Sequence, residues 1–429
     1  MPKQGDIVSI YTNDGREFTG KIMPNSLLNE KDIIVLKLNN GYNAGIKKEK
    51  IKKIKLVKRE KSISYSASEL KIKKEKGKKN VHIISTGGTI ASRVDYKTGG
   101  VIPAFSPGDM VQAIPGLKEI ANLTSRKICN IFSDDITPEH WKELADETAK
   151  ALNSGSDGVV IMHGTDTMHY SSSMMTFMLK NLTKPVVFVG AQRSTDRGSS
   201  DNVMNLLCAV KTAADSEVGE VGICMHGSMN DEFCYFHQGA RARKMHTSRR
   251  DTFKSIGTSP YLKISYPGLK IENMRTDFTK RKNDKVVADT KINPNVGIIK
   301  IHPYIHPKII SAAAGVYDGI ILEGTGLGHV PLTKWDSKCR PVFNQIKSAS
   351  NSGVIFCMTS QTINGRVNPY VYAPARELMK TGVIYLENML SETAMTKLMW
   401  VLGHTKDYRK ARNMMTQNLK GELVERSPA

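Results

Sequence analysis

From Val81 onward, apolar runs rich in valine and isoleucine alternate with segments of helical periodicity, and no other feature restricts the fold as strongly. Continuous apolar strands between helices are typical of parallel sheets with helices on both faces. The predicted strands are Val81–Ser85, Gly158–Met162, Pro185–Val189, Val221–Met225, Val296–Ile301, Gly319–Leu322 and Val354–Met358, and the predicted helices are Pro138–Asn153, Ser171–Asn181, Asn202–Ala214 and Ser391–Gly403. The pattern predicts an α/β fold in two domains, residues 81–280 and 291–429.

The first segment has a different pattern, in which short strands alternate with turn residues. Asn13-Asp14-Gly15 and Asn39-Asn40-Gly41 separate apolar runs, and such Asn/Asp-Gly pairs are strong hairpin signals. We therefore predict a small β-barrel at residues 1–57, followed by a charged linker at residues 58–80.

Basic residues are concentrated beside this segment. The net charge is +21, and residues 47–80 alone carry 15 Lys and Arg against four Asp and Glu, or +11. Such a run can bind a polyanion by releasing counterions from a phosphate backbone. It can equally be a solvated linker that its own repulsion keeps extended, and composition does not separate the two interpretations.

Several function classes are excluded by composition and motif spacing. Composition close to the globular average excludes a collagenous, disordered or disulfide-scaffold chain. No apolar run approaches the ~20 residues of a membrane span, and no apolar stretch follows the N-terminal charge, so we expect a cytoplasmic protein. The six cysteines form no CxxC pair and HExxH is absent, so no metal site is predicted. No phosphate loop of the Gly-Lys-Ser/Thr type occurs either, so we expect no ATP site in this chain.

Ligands of open α/β sheets bind beyond the carboxyl ends of the strands. The loops that follow three predicted strands, residues 85–90, 163–168 and 190–195, each join glycines to hydroxyl or amide side chains. Alone, each has a simpler explanation, because a threonine after glycine is most often a helix N-cap, and Asp166 could cap the next helix.

Together these loops resemble the bacterial-type L-asparaginase family. The resemblance rests on the two signatures at residues 86–91 and 163–168, on Gly190-Ala191-Gln192-Arg193 and on the Asp201-Asn202 helix start, and it extends from Val81 to Leu402. It implies an asparaginase-like two-domain parallel-sheet fold and an amidohydrolase. In such an enzyme a threonine attacks a side-chain amide, ammonia leaves, and water cleaves the acyl-enzyme.

The resemblance also assigns catalytic roles. Thr89 is the leading candidate for the nucleophile, and Thr165 and Asp166 would form a compact unit with a lysine that accepts or relays a proton. Which threonine attacks first stays open. The simpler bacterial enzymes carry the lysine just beyond the helix ending near residue 215, where this chain has none. Lys244 is our replacement and Lys211 the alternative, although its helical position suits a surface lysine.

Four further residues are implied in substrate binding. Ser133 and Asp134 look like the family's loop that holds the substrate's amino and carboxylate groups, although many relatives have an amide at the position of Asp134. Gly88 belongs to the first signature, and Tyr96 resembles a loop tyrosine that closes over the site. The two aspartates at 134 and 135 could also be acids at a helix start.

The N-terminal barrel and basic linker, with residues 96–100 and 247–251, resemble the ammonia-producing subunits of archaeal glutamyl-tRNA(Gln) amidotransferases. That resemblance implies a partner, the amidotransferase's E subunit, which binds ATP, Mg²⁺ and Glu-tRNA(Gln), in a heterotetramer with two copies of each chain and a homodimer of this one. The alternatives are a stand-alone asparaginase or glutaminase with a fused barrel, and a non-catalytic binding module on an enzyme fold.

Overall fold

The computed structural model describes residues 2–24, 32–59, 75–88, 90, 92–94, 101–103, 114, 116–194 and 197–426. The described residues contain three large sheets: a five-stranded sheet at the N-terminus, an eight-stranded sheet that carries the glycine-containing loops, and a four-stranded sheet in the C-terminal part. The predicted α/β fold with an N-terminal β extension is confirmed.

The N-terminal sheet is antiparallel, with strand order β4-β3-β2-β1-β5. Its strands are β1 (Ile7–Thr12), β2 (Glu17–Ile22), β3 (Ile33–Leu38), β4 (Asn43–Lys47) and β5 (Ile51–Lys58). Val8, Ile10, Leu36 and Ile46 form its small core. The basic run therefore begins inside this sheet, because β5 pairs with β1 and exposes all four of its lysines to solvent.

The eight-stranded sheet has the order β18-β17-β14-β13-β12-β10-β6-β9. Its strands are β6 (Asn80–Gly87), β9 (Asn122–Ile131), β10 (Gly158–Met162), β12 (Val186–Val189), β13 (Val221–His226), β14 (Phe233–Gln238), β17 (Leu262–Ser265) and β18 (Ile271–Asn273). Five neighbouring strands of this sheet are parallel, as predicted: β9, β6, β10, β12 and β13. The other three continue the sheet antiparallel, which the sequence pattern did not predict.

The C-terminal sheet is parallel, with β20 (Val296–Lys300), β21 (Gly319–Gly324), β22 (Ile355–Ser360) and β23 (Ile384–Tyr385) in chain order. Three two-stranded pairs complete the described strands: β7 (Ser92–Val94) with β8 (Val101–Pro103), β11 (Leu179–Lys180) with β19 (Val287–Ala288), and β15 (Ala242–Lys244) with β16 (Phe253–Ser255).

Nine α-helices lie in the described part of the chain: α1 (Gly116–Ile120), α2 (Pro138–Asn153), α3 (Met168–Met178), α4 (Asn202–Asp215), α5 (Pro307–Ala314), α6 (Phe343–Asn351), α7 (Ala373–Met379), α8 (Ser391–His404) and α9 (Tyr408–Thr416). Helix α2 has its predicted bounds, and Thr137 caps it in a reciprocal arrangement with His140. Helix α3 begins three residues earlier than predicted, directly after Thr167, which occupies the N-cap position considered for Asp166. Within the described ranges, no helix is long and apolar enough to cross a membrane.

The described end of the predicted linker is attached to the α/β body. The Glu75 backbone N–H donates to Asn122 Oδ1 at 2.8 Å, and Asn122 Nδ2 donates to the carbonyl oxygens of Glu75 and Lys78 at 3.0 and 3.2 Å. Lys78 Nζ also donates to the Lys118 carbonyl oxygen at 2.9 Å. Residues 75–79 are therefore attached to α1 and to the start of β9, whereas residues 60–74 lie outside the described part.

The N-terminal sheet contacts the large sheet through the turn between β3 and β4. The Gly198 N–H donates to the Gly41 carbonyl oxygen at 3.1 Å, and the hydroxyls of Tyr42 and Ser199 are 3.0 Å apart. A Cβ atom on Gly198 would lie 2.6 Å from the Tyr42 ring, and one on Gly41 would lie 2.6 Å from Gly198 N. Gly41 also has φ +82°, so both turns require glycine for close approach.

A buried ion pair ties the C-terminal segment to α8. Lys397 Nζ and Glu422 Oε1 are 2.5 Å apart, and both side chains are fully buried. Lys397 also donates to the carbonyl oxygens of Met415 and Gln417, while Glu422 accepts the Leu419 and Lys420 N–H groups. This network satisfies both charged groups without water, which is what a charge pair in an apolar interior requires.

Candidate active site

The three glycine-containing loops meet at the carboxyl ends of neighbouring strands β6, β10 and β12. A Cβ atom on Gly88, whose φ is +78°, would lie 2.4 Å from the Gly164 nitrogen. A Cβ atom on Gly190 would lie 2.7 Å from Thr165 Cγ2. Such distances exclude any side chain, so glycine lets the three backbones touch and places Thr165 at their junction.

Thr165, Asp166 and Lys244 form one hydrogen-bonded set at this junction. Lys244 Nζ donates to Thr165 Oγ1 at 2.9 Å and to Asp166 Oδ1 at 2.7 Å. Thr165 is 6% exposed and the Lys244 side chain 10%, whereas the Asp166 side chain is 65% exposed. The fold brings these groups together from residues 79 positions apart, because β15 ends at Lys244 beside the loop after β10.

This arrangement is suited to proton transfer. The ammonium donates to one lone pair of the threonine hydroxyl, so the hydroxyl proton points away from Lys244. Once the lysine releases a proton, its nitrogen can accept that of Thr165, and the adjacent carboxylate stabilises the ammonium that results. The contact of a buried threonine hydroxyl with a lysine amine can therefore pass a proton between the two groups.

Ser133 and Asp134 lie on the wall formed by the segment after β9. Ser133 is buried, its carbonyl oxygen accepts the Thr167 hydroxyl at 2.7 Å, and a Cβ atom on Gly164 would lie 2.8 Å from its Cβ. Asp134 is exposed in the 3₁₀ turn Ser133–Asp135, which precedes α2 but is separate from it. The two residues therefore lie beside the second signature loop, one buried against it and one open to solvent.

The start of α4 fixes two of the three loops. Asp201 is fully buried, and its carboxylate accepts the backbone N–H groups of Gln192 and Arg193 at 3.0 Å each. Asn202 Nδ2 donates to the carbonyl oxygen of Ile90 at 2.7 Å. These buried polar contacts explain why a helix that begins Asp201-Asn202 accompanies the loop sequences.

Two histidines near the site are neutral at ordinary pH, and the sequence pattern assigned neither of them a role. Burial lowers the pKa of His163 to about 4 and that of His169 to about 3. His163 Nδ1 donates to the Gly164 carbonyl oxygen at 2.7 Å, and its ring packs edge-on against Phe188. His163 thus supports the second signature loop. Its position as the first residue of that signature could have indicated this role from the sequence.

Of the residues predicted from the sequence, the structure brings together Gly88, Thr165, Asp166, Lys244 and Ser133, with Asp134 on the adjoining turn. Thr89 and Tyr96 lie outside the described residues. The alternative lysine is elsewhere: Lys211 Nζ pairs with Asp215 Oδ2 of the same helix at 2.6 Å. An i,i+4 pair on a helix surface is the ordinary environment of such a lysine, so Lys211 is not the lysine of this cluster.

The comparisons with known proteins agree with this geometry. Residues 80–276 match the family model "Asparaginase, N-terminal", residues 295–415 match "Glutaminase/Asparaginase C-terminal domain", and residues 3–57 match "GatD N-terminal domain". The L-asparaginase of Thermococcus kodakarensis is similar in structure, with a TM-score of 0.69 and 29% identity over 80% of this chain and 99% of that one. L-asparaginase I of Vibrio cholerae gives a TM-score of 0.68 and 29% identity over 81% and 100%. Fold and site therefore define an amidohydrolase of the asparaginase class.

Relatives that match this chain over nearly their full length identify its family within the asparaginase class. The D subunit of the glutamyl-tRNA(Gln) amidotransferase of Pyrococcus furiosus is 48% identical over 98% of this chain and 94% of its own length. The corresponding protein of Methanococcus maripaludis is 42% identical over 98% of each. The chain belongs to the family of glutamyl-tRNA(Gln) amidotransferase D subunits.

Proposed function

We propose that this chain hydrolyses the side-chain amide of glutamine, or of asparagine, and supplies the ammonia that a partner subunit uses to convert Glu-tRNA(Gln) to Gln-tRNA(Gln). The observation that carries the proposal is the contact of Lys244 with both Thr165 and Asp166 where three loops meet. The relatives' shared name and near-complete coverage extend it from amide hydrolysis to a role within an amidotransferase.

The proposed reaction has two halves. A threonine oxygen attacks the amide carbon, the C–N bond breaks, and ammonia leaves after taking up a proton. Water then attacks the acyl-enzyme ester, which releases glutamate and restores the threonine hydroxyl. By resemblance Thr89 is the leading candidate for the nucleophile, and we assign proton transfer to Thr165, Lys244 and Asp166 by their hydrogen bonds.

Substrate binding is assigned to the wall that carries Ser133 and Asp134 and to the first loop with Gly88 and Tyr96. Asp134 is exposed, so its carboxylate can pair with the α-amino group of a free amino acid. The backbone at Gly88 touches Gly164, so the first loop lies directly against the loop that carries Thr165.

The assembly proposed for this function is a cytoplasmic heterotetramer of two D and two E subunits, with this chain forming the central homodimer. ATP and Mg²⁺ would bind to the E subunit, which also binds the charged tRNA. Closed twofold symmetry is the commonest arrangement of soluble homo-oligomers, and an ammonia-consuming step needs a second active site in the same complex.

One experiment tests the function and the assembly. Ammonia release from glutamine and from asparagine is measured for this chain alone, with the E subunit, and with the E subunit, ATP and Glu-tRNA(Gln). We expect release from at least one amide and formation of Gln-tRNA(Gln) only in the complete mixture. Light scattering should give the mass of two copies of each chain. A complete mixture that uses free ammonia but neither amide would reject the proposal.

The lysines of β5 provide a prediction about tRNA. Lys52, Lys53, Lys55 and Lys58 are exposed on this edge strand, so replacing all four with glutamine should remove phosphate contacts. We expect weaker tRNA binding by the complex and a flatter log–log dependence of affinity on salt, by up to about one unit for each lost contact. Ammonia release without tRNA should stay unchanged.

A matched variant separates this effect from net charge. Lys270, Lys347, Lys406 and Lys410 are also exposed, and their replacement with glutamine changes the charge equally. The salt dependence of that control should equal that of the unmodified complex. If the log–log dependence of tRNA affinity on salt had the same slope in all three proteins, the basic run would act only as a spacer.

A further inference from the structure

His226, at the end of β13, is a buried histidine that the proposed reaction does not use. Its side chain is fully buried, and both ring nitrogens have partners. Nδ1 is 2.5 Å from Asn205 Oδ1, and Nε2 is 3.0 Å from Asp231 Oδ1. Burial lowers the pKa of this histidine, while the hydrogen bond to Asp231 acts in the opposite direction. Both partners are oxygen acceptors, so the two contacts together require an N–H on each ring nitrogen, and the imidazolium then joins Asn205 to Asp231.

The inner end of this link reaches the active-site loops. Asn205, on α4, donates through Nδ2 to the Gly190 carbonyl oxygen and to Asp201 Oδ2, both at 3.0 Å. These two contacts fix the orientation of the amide, so Oδ1 faces His226. Because Gly190 packs closely on Thr165, the position of Asn205 bears directly on one wall of the site.

The outer end reaches the segment that follows Lys244. Asp231 Oδ1 accepts from Arg250 Nη1 at 2.6 Å, and Arg250 also donates to the carbonyl oxygen of Met229. Arg250 belongs to a tight turn in which the Met245 N–H donates to the Thr252 carbonyl oxygen at 2.7 Å. The pairing of β15 with β16 closes this turn immediately beyond Lys244.

Together these contacts form a closed ring of interactions that begins and ends at Thr165. One side runs from Thr165 through Lys244 into the turn, and the other from Thr165 through Gly190 to Asn205. We propose that the chain Arg250–Asp231–His226–Asn205, here named the brace, holds Lys244 and the Gly190 loop at the separation that places Nζ on the Thr165 hydroxyl. These four are positioning residues, and the proposal rests on the proposed amide hydrolysis.

The two outer residues of the brace, Arg250 and Asp231, are the ones whose substitution should disturb the fold least. The Asp231 side chain is 58% exposed, and that of Arg250 is 11% exposed. The guanidinium of Arg249, the neighbour of Arg250 in the same turn, pairs only with Asp251 among the described residues, at 2.9 and 3.0 Å. Arg249→Met is therefore a matched control for Arg250→Met, with the same charge change in the same turn.

The test compares Arg250→Met, Asp231→Ala, their double variant and Arg249→Met in the assembled complex. We expect each single brace variant to lower kcat for ammonia release about tenfold with KM changed less than about twofold, since a misplaced proton-relay group slows chemistry without removing substrate contacts. The double variant should be no slower than the slower single variant, because either change already opens the ring. Arg249→Met should keep a kcat close to that of wild type.

A second readout does not depend on activity. The Lys244 side chain is only 10% exposed, so an acylating reagent should label it slowly, and peptide mass spectrometry can compare its labelling with that of Lys211. Labelling of Lys244 should become several-fold faster in the Arg250 and Asp231 variants and stay unchanged in Arg249→Met. Unchanged labelling and unchanged kcat in both brace variants would overturn the proposal. A wild-type complex that hydrolyses neither amide would reject the proposed function, while the labelling rates would still decide the brace.

Discussion

Replacing Thr165 with alanine should lower kcat for ammonia release from glutamine by about a thousandfold or more, and Lys244→Met should do the same. Both variants remove one member of a unit that moves a proton to and from a hydroxyl, and losing such a member typically costs several orders of magnitude. The measurement is single-turnover and steady-state ammonia release in the complex, with circular dichroism to establish that the variants are folded.

Lys211→Met is the matched control for the lysine. It removes the same group from the same domain, but its ammonium pairs with Asp215 on a helix surface, so turnover should be near that of wild type. Ammonia supplied as a salt at high concentration should restore Gln-tRNA(Gln) formation in both catalytic variants. Near-normal turnover of folded Thr165→Ala would contradict the assignment.

The second large effect is expected on stability. Lys397→Met should lower the free energy of unfolding by about 3–5 kcal/mol, because it removes the ammonium that pairs with the buried Glu422 carboxylate. Lys380 makes a pair of similar length, 2.6 Å to Glu377, but both side chains are more than half exposed. Lys380→Met should therefore change the free energy of unfolding by less than about 1 kcal/mol.

Denaturant unfolding at neutral pH, followed by tryptophan fluorescence, gives both values. The double variant Lys397→Met with Glu422→Gln should recover part of the loss, since the amide needs no counter-charge. Equal destabilisation by the Lys397 and Lys380 substitutions would mean that burial does not decide the strength of these pairs.

The parallel core of the fold could be predicted because its strands have one pattern throughout. The runs beginning at Val81, Gly158 and Val221 are largely buried on both faces, so each is rich in valine and isoleucine and bounded by glycine or polar residues. Helix α2 matched its predicted bounds because Thr137 and Pro138 mark its start.

The antiparallel half of the large sheet could not be predicted in the same way. Strand β14 mixes aromatic, cysteine and histidine residues without a clear period. Strand β17 alternates apolar and polar residues, but four residues are too few to distinguish a strand from a turn. The charge of residues 75–79 is typical of a linker and hides their docking on Asn122, a contact that depends on a residue 47 positions away.

The candidate site was predictable where the sequence carries a signature and unclear where it does not. Thr165 and Asp166 lie in the second signature. Lys244 lies 79 residues beyond Thr165, in a separate two-stranded pair, so only the fold distinguishes it from Lys211 as the lysine of the cluster. His226 gave no signal, because a histidine ending an apolar strand usually marks only the strand's end. Its partners, Asn205 and Asp231, are 21 and 5 residues distant.

The glycine-to-glycine contact between the β3–β4 turn and residue 198 makes the packing of those two turns interdependent. Insertion of one residue in either turn, or a side chain at Gly41 or Gly198, would push the N-terminal sheet away from the chain that leads into α4. Homologues that alter one turn should therefore alter the other. Chimaeras that exchange N-terminal sheets between relatives should fold only when residues 39–43 and 197–199 come from the same parent.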